Sequence, residues 1–365
     1  MRIGILTYHR AHNYGAMLQA YALLSFLRSN GHNAELIDYW PLYHKHQYAL
    51  IRPITGKNIG YKIKNAIADI CTFWRRYKRI QHFTSFEHSY LNLPKEIRYT
   101  SENALKDINY DCVIVGSDQI WRNRDSNNHH IGFDSTYFCQ NINPSTRCIS
   151  YAASMGIIQL SENDKATLQQ YLKRFCTILV RENTLNDLVH SLGYQAKVVL
   201  DPTLLLNKDQ WNLSLPKKRF CSTRYVLYYE LMLSEEATRF AQEKANSLGC
   251  KLLVMDARIP IIPKTGHISY ASPIEFMHAI RDAEYVIATS FHGTAFSIIF
   301  EKQFLTLGLK KNADRVITLL SHLGLSKHYQ EHPNDCNDIN YKTVQYKLNE
   351  LVASSSQALL TAINP

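Results

Sequence analysis

Residues 285–297 read Tyr285-Val286-Ile287-Ala288-Thr289-Ser290-Phe291-His292-Gly293-Thr294-Ala295-Phe296-Ser297. An apolar run stops at Ser290, a histidine and a glycine follow, and a helix-compatible apolar segment continues to Phe300. That order predicts a buried strand, a tight turn and a helix. It sets one titratable imidazole at the carboxyl end of a strand, beside the backbone N–H groups of a helix start. Open α/β sheets bind ligands at that edge. A helix start favours anions, and histidine exchanges a proton near neutral pH. The stretch points to acid–base work on an anionic substrate. The competing reading is a histidine that caps or packs at a turn.

The same alternation runs outward from this stretch. In the first half, Ile3–Leu6 reads as a strand. Tyr14–Arg28 reads as a helix, with Met17, Leu18, Tyr21, Leu24 and Leu27 on helical spacing, Asn13 as N-cap and Gly31 as stop. Ala34–Ile37, Cys112–Val115, Arg147–Ala152, Thr177–Val180 and Val198–Leu200 read as further strands. After the polar connector 207–223, which holds Pro216-Lys217-Lys218-Arg219, the pattern repeats. Tyr225–Tyr229 is a strand, Ser234–Leu248 a helix, Leu252–Met255 a strand and Pro273–Ala283 a helix with Ser272 as N-cap. The strand at Tyr285 follows, then Phe304–Leu307 and two terminal helical stretches. The chain is thus expected to be α/β, with two doubly wound Rossmann-like domains facing across a cleft. The expected bounds are 1–206 for the N-terminal α/β domain, 207–223 for the connector, 224–340 for the C-terminal α/β domain and 341–365 for a C-terminal helix.

Composition narrows the function classes. Of 365 residues, 45% are hydrophobic and 20% charged, as in soluble globular proteins. No apolar run approaches the roughly 20 residues that span a bilayer. Met1-Arg2 leads directly into Ile3-Gly4-Ile5-Leu6, too short a run for a signal-peptide core, so a cytoplasmic protein is expected. Its eight cysteines form no C-x-x-C pair, which fits a reducing compartment and no ribbon-type zinc site. The net charge of +10 favours anionic partners. Part of it is concentrated in Lys57, Lys62, Lys64, Arg75, Arg76, Lys78 and Arg79, opposed only by Asp69. The same segment carries Ile63, Ile67, Ile70, Trp74 and Tyr77 on helical spacing. A basic amphipathic helix over 57–82 therefore either shows a solvated basic face or docks on anionic lipid, or on a lipid-linked phosphorylated sugar, at the inner membrane face. No nucleic-acid module is present, so no nucleic-acid partner is expected.

Other strand ends carry candidate chemistry. Asn13-Tyr14-Gly15 follows the first strand, where glycine lets a ligand approach the helix backbone, unless the segment is a plain cap. Gly116-Ser117-Asp118-Gln119 ends another strand, and Asp118 suits a sugar hydroxyl or the role of base, or a capped turn. Arg181-Glu182 ends a third. A buried Arg181 demands an anion, and its guanidinium matches carboxylate or phosphate. An ion pair with Glu182 or Asp201 is the alternative. Ser150–Gly156 is small and hydroxyl-rich, as where backbone meets a ligand. No H-E-x-x-H or other metal spacing appears, so neither metal nor redox cofactor is expected. His129-His130 reads as solvated loop, and no G-x-S-x-G elbow supports a hydrolase.

Taken in order, these positions resemble the polysaccharide pyruvyl transferase family. The resemblance rests on Asn13-Tyr14-Gly15, Gly116-Ser117-Asp118-Gln119-Ile120-Trp121, Ser150-Tyr151-Ala152-Ala153-Ser154 and Val180-Arg181-Glu182. It continues through Leu200-Asp201-Pro202-Thr203-Leu204-Leu205, Ser272-Pro273-Ile274-Glu275-Phe276 and Ser290-Phe291-His292-Gly293. It implies a GT-B-like fold and transfer of a pyruvyl group from phosphoenolpyruvate to two hydroxyls of a sugar, free or lipid-linked, as a cyclic ketal. Carried over by motif, His292 and Arg181 contact the donor. His292 is expected as the acid and Asp118 or Glu182 as the base. Asn13, Tyr14, Gly15, Ser117, Ser154, Ser290, Gly293 and Thr294 complete the expected binding set. Some family members carry an arginine where this chain has Ser290, so Arg315 is the expected second cation. The segment Tyr39–Tyr48 is the expected acceptor side. Two other functions fit the same plan: a nucleotide-sugar-dependent glycosyltransferase, and a non-catalytic carbohydrate-binding protein.

Overall fold

Strands covered on both faces must be apolar along their whole length, and the short apolar runs meet that condition. In the computed structural model, β1 (Arg2–Leu6), β3 (Cys112–Val115) and β10 (Tyr285–Ala288) are buried almost throughout. The structure describes residues 1–51, 59–94, 96, 98–124, 131–231, 234–262, 264, 266–308 and 313–364, with the backbone alone for 59–62, 64, 65 and 102. Lys57, His129-His130 and Asn312 lie outside the described residues.

Two six-stranded sheets form, and every strand pair within them is parallel. The first adds β2 (Asn33–Leu36), β4 (Arg147–Ala153), β5 (Thr177–Val180) and β6 (Lys197–Val198), in the order β2-β1-β3-β4-β5-β6. The second joins β7 (Tyr225–Glu230), β8 (Lys251–Asp256), β9 (His267–Ile268), β10, β11 (Gln303–Leu307) and β12 (Tyr329–Gln330), in the order β12-β11-β10-β7-β8-β9. These are two doubly wound Rossmann-like domains facing across a cleft. The order reverses between β1 and β3 in one and between β7 and β10 in the other, and crevices at such reversals hold ligands.

Helix α1 (Tyr14–Ser29) is held at its start by Asn13, whose Oδ1 accepts the Ala16 N–H at 3.2 Å. It is buried around most of its circumference because it packs on the first sheet and also on the second lobe. Its Tyr14 ring stacks on Phe276 at 4.8 Å and on Phe83 at 5.4 Å. Phe276 lies in α8 (Pro273–Asp282), whose start is closed by a Ser272/Glu275 capping box. One apolar cluster therefore runs through both lobes, from Leu18 to Phe276 and Phe296. The chain returns to the first lobe through α11 (Tyr341–Ile363), where Arg147 Nε donates to the Ala362 carbonyl at 2.8 Å and Leu200 N–H to Ser355 Oγ at 3.0 Å.

The region 49–97 differs from expectation in the way its helix faces. Helix α3 (Ile59–Tyr90) is longer than the basic segment. Its inner side is the polar one. Arg79 donates to the carbonyls of Ser269 and His12 at 3.2 and 3.1 Å, and Arg76 pairs with Asp69. The stripe from Ile63 to Tyr77 consequently points outward and is exposed. Phe83 and Phe86, further along, enter the core instead. A short helix, α2 (Leu42–Tyr48), forms in what read as open connection.

Candidate active site

Both topological reversals open onto one cavity of about 360 Å³, and Asn13, Gly15, Asp118, Ser290, His292 and Arg315 are on its wall. Each arrives there for a local reason. Asp118 follows β3 in a left-handed conformation, φ 73°, which a non-glycine residue adopts at a cost and which turns its carboxylate into the cavity. His292 sits in the first turn of α9 (Phe291–Ile299). The helix is capped by Ser290, whose Oγ accepts the Gly293 N–H at 2.9 Å. Arg315 comes from the first turn of α10 (Asp314–Leu323). Gly15 lets the two lobes meet: a Cβ there would lie 1.9 Å from His292 Nδ1.

Behind the wall lies a buried charge network centred on Asp201. Arg181 Nη1 donates to Asp201 Oδ2 at 2.5 Å and Ser117 Oγ to the same oxygen at 3.0 Å. The Thr203 N–H and hydroxyl hold Oδ1 at 3.0 and 2.8 Å. His292 Nε2 stands 3.7 Å from Asp201 Oδ2, within ion-pair range but longer than a hydrogen bond. Arg181 Nη2 is 3.6 Å from Asp118 Oδ1, and Arg315 Nη1 is 4.0 Å from the same atom. Both guanidinium groups lie over the Phe291 ring, at 4.9 and 5.9 Å. Glu182 is fixed by Ser154 Oγ at 2.8 Å and Met155 N–H at 3.0 Å, both on Oε1. Several buried polar atoms here make no hydrogen bond among the described residues: Arg181 Nε and Nη2, Arg315 Nε, Glu182 Oε2 and His292 Nε2. Orphaned buried donors are expensive; here Arg181 Nη2 and Arg315 Nη1 both face Asp118 Oδ1, and Arg181 Nε faces Glu182 Oε2, at charge-contact distances longer than a hydrogen bond.

Burial and neighbours pull the network's acids apart. Burial pushes the Asp201 carboxyl up, but His292, Arg181 and the Thr203 N–H outweigh it and hold the group far below the usual range. Burial raises Glu182, against the opposing pull of Arg181 and Arg315. Burial and the nearby Arg181 lower Arg315. On the open wall, His44 is pushed down to about 3 by burial and by Arg124, so it is neutral near pH 7 and a poor proton donor.

The sign of the Asp201 shift sets an acid-stability prediction. A carboxyl held below its unfolded value adds stability above about pH 4, and loses it as pH falls through the folded value. Asp38, held low beside Arg10 and His9 against its own burial, acts in the same direction. Urea melts from pH 6 to pH 3 are therefore expected to show falling stability, with a smaller fall in Asp201→Asn than in the parent. Parallel curves for the two proteins would sink the assignment.

The other expected residues are less exposed to a ligand. Tyr14 is in the core between the lobes. Ser117 and Ser154 orient Asp201 and Glu182. Thr294 donates to the Ser290 carbonyl at 3.0 Å, and Gly293 is packed 2.9 Å, for a built Cβ, from the Ala288 methyl. Arg181 itself is fully sheltered and meets the site through Asp118 and Asp201. From Tyr39–Tyr48, the structure brings Tyr43, His44, Gln47 and Tyr48 to the cavity wall. Sequence reasoning missed three of the wall's four arginines, Arg122, Arg124 and Arg258, which face a single wall carboxylate, Asp118. Two of the three follow Asp118 within one short segment, Arg122-Asn123-Arg124, and that clustering was the available signal. A potential metal cluster, Glu230, Asp256 and His267, lies at the carboxyl ends of β7 and β8 and the start of β9; none of the three lines the cavity, although Tyr229 and Leu231 on either side of Glu230 do. There Asp256 is already bound by His267 at 2.9 Å and Ser269 at 2.7 Å.

Comparison with known proteins gives one sequence family. The model of the family described as polysaccharide pyruvyl transferase matches residues 13–311. No curated protein sequence matches significantly. Among solved structures, the chain is similar to UDP-GlcNAc 2-epimerase from Neisseria meningitidis bound to UDP-GlcNAc, at 9% identity and TM-score 0.48, with 99% of each chain covered. It is also similar to a UDP-N-acetylglucosamine 2-epimerase from Listeria monocytogenes, at 10% identity and TM-score 0.44, covering 98% of this chain and 90% of that one. The glycosyltransferase SnogD from Streptomyces nogalater gives 12% identity and TM-score 0.39, with 99% of each chain covered.

Proposed function

Because the chain belongs to the polysaccharide pyruvyl transferase family, we propose that it moves a pyruvyl group from phosphoenolpyruvate onto two hydroxyls of a sugar, forming a ketal and releasing phosphate. One observation carries this reading. Arg315, with an orphaned Nε–H, and His292, at a helix start, share the wall of one cavity between the lobes, and the buried Arg181 lies directly behind that wall. Phosphoenolpyruvate is small and carries a carboxylate and a phosphate, the two groups a guanidinium binds best.

His292 protonates the methylene carbon of the enol, which becomes a methyl group. Positive charge develops at the adjacent carbon, and a sugar hydroxyl oxygen bonds to it. Asp118, on the cavity wall, accepts that hydroxyl's proton and returns it to the imidazole. The C–O bond to phosphate then breaks, the second hydroxyl closes the ring, and its proton leaves with phosphate. Asp201 Oδ2 faces His292 Nε2 across 3.7 Å, a fixed carboxylate beside the ring. Arg315 and the α9 start oppose the charge of the leaving phosphate. Glu182, with Oε1 doubly bonded, is better placed to hold Arg181 than to take a substrate proton. The acceptor sugar sits on the aromatic side of the cavity, against Tyr8, His44 and Tyr48.

The test is phosphate release from phosphoenolpyruvate with a panel of galactose-, mannose- and glucose-terminated acceptors, with mass spectrometry of the products. A product heavier by one ketal-linked pyruvyl group is expected. Calorimetric binding of nucleotide sugars but not of phosphoenolpyruvate would overturn the reading in favour of a glycosyltransferase. Sugar binding without any phosphate release would leave a carbohydrate-binding protein.

A further inference from the structure

Helix α3 is inside-out. Ile63, Ile67, Ile70, Trp74 and Tyr77 fall on one narrow stripe, and all face solvent, with Ile70 and Trp74 at 76% and 72% exposure. The opposite side, toward the protein, carries Asp69, Thr72, Arg76 and Arg79. A helix that only needed to cover a core would face the other way. The second lobe extends the apolar surface. Arg75 Nη2 donates to the Ile261 carbonyl at 2.9 Å, tying the loop that carries exposed Ile261 and Ile262 to the helix. Lys78 is exposed beside the stripe, and among the described residues no helix is long and apolar enough to cross a membrane.

A second cavity, of about 440 Å³, opens between the inner side of α3 and residues 257–261. It carries Arg76, Arg79 and Arg258, and it shares Gln47, Tyr48 and Arg258 with the catalytic cavity. No ion pair to Arg258 occurs among the described residues. A route bordered by cations thus leads from the apolar surface to the site.

We propose that the outer stripe of α3, together with Ile261 and Ile262, seats the protein on an anionic lipid bilayer, and that the cation-lined second cavity takes the phosphate of a lipid-carried acceptor whose sugar reaches the catalytic cavity. The proposal rests on the pyruvyl-transfer reading for its acceptor, but the docking surface can be tested alone. Apolar side chains enter the interface while neighbouring cations meet anionic headgroups. The surface character supports a bilayer over a protein partner: isoleucine and tryptophan form an exposed ridge with Lys78 exposed beside it, and the net charge of the chain is +10.

The experiment is flotation with vesicles of phosphatidylglycerol and phosphatidylethanolamine, against phosphatidylcholine alone, with the full chain. Wild type is expected to float with the anionic vesicles, less so at high salt, and Trp74 emission to shift to the blue. Ile70→Glu and Trp74→Glu are expected to weaken flotation by about tenfold or more. With a soluble acceptor sugar, phosphate release in both variants should match the parent. With a polyprenyl-phosphate-linked acceptor in vesicles, it should fall. Parent protein that stays in the vesicle-free fraction overturns the proposal. So does a parent dimer, seen by sedimentation, that the same substitutions dissolve, because the stripe would then be a contact between copies. Flotation that depends on Ile70 and Trp74 without phosphate release from any acceptor upholds the surface and rejects the chemistry.

Discussion

Gly15→Ala is expected to cut phosphate release by about 10²–10⁴-fold, as much as His292→Ala, although no group that moves a proton is altered. The added methyl would lie 1.9 Å from His292 Nδ1, 2.3 Å from Cγ and 2.4 Å from Cε1, far inside van der Waals contact with the imidazole ring. Neither backbone can yield locally. Residue 15 is in the first turn of a helix buried between the lobes, and His292 is in the first turn of a capped, fully buried helix. Either the imidazole swings away from Asp201, or α1 and α9 separate and the cavity loses its shape. The proposed proton donor is lost in both cases. Overpacking of this kind costs about 1–3 kcal/mol of stability, so the chain should still fold. Steady-state phosphate release and thermal melts of Gly15→Ala, His292→Ala and the double variant test the point. The double variant is expected to be no slower than the singles, because each removes the same function. Gly15→Ala with more than about a tenth of parental turnover would exclude the imidazole from the chemistry.

Much of this site was legible because parallel sheets gather their carboxyl ends at one edge. Asp118, Arg181 and His292 each end a short apolar run, and that feature alone places them near one another. Arg315 was found from a gap, the serine at position 290, and it stands 4.0 Å from Asp118. Asp201 was harder to weigh. It stood in one of the stretches that carry the family resemblance, but its only expected role was as a possible ion-pair partner of Arg181, since it follows a two-residue strand with little periodic signal. The orientation of α3 was not legible at all. Spacing shows that an apolar stripe exists but not which way it faces. That is decided by Arg79 reaching the carbonyls of His12 and Ser269, and Arg76 that of Ala49. These acceptors lie 27 to 190 residues away in sequence, beyond the reach of any local pattern. The same holds for Tyr14, which read as part of a binding turn. Its ring is captured by Phe276, a residue of the other lobe.

Arg181→Ala is expected to be the most destabilising single change in the site, at about 3–5 kcal/mol. The guanidinium is 1% exposed and makes the 2.5 Å contact that neutralises Asp201, itself fully buried. Removing it leaves Asp201, Glu182 and Asp118 close together, with Arg315 near Asp118 and the His292 ring near Asp201 as the remaining partners. Uncompensated carboxylates in such a place take up protons instead of staying charged. The deficit against the parent should therefore be largest at neutral pH and shrink in acid, as the buried Asp201 and Glu182 protonate. A cavity left by a lost side chain would instead give a deficit nearly independent of pH, which separates the electrostatic account from a packing one. Arg181→Lys should recover part of the stability, since an ammonium restores the charge. It should not recover turnover, because it lacks the planar fork that reaches Asp201, Asp118 and Glu182 at once. Urea melts of the parent and both variants at pH 4, 5.5 and 7, with phosphate release at pH 7, measure all of this. A fully active Arg181→Lys would show that this residue supplies only charge, and that Arg315 alone meets the anionic donor.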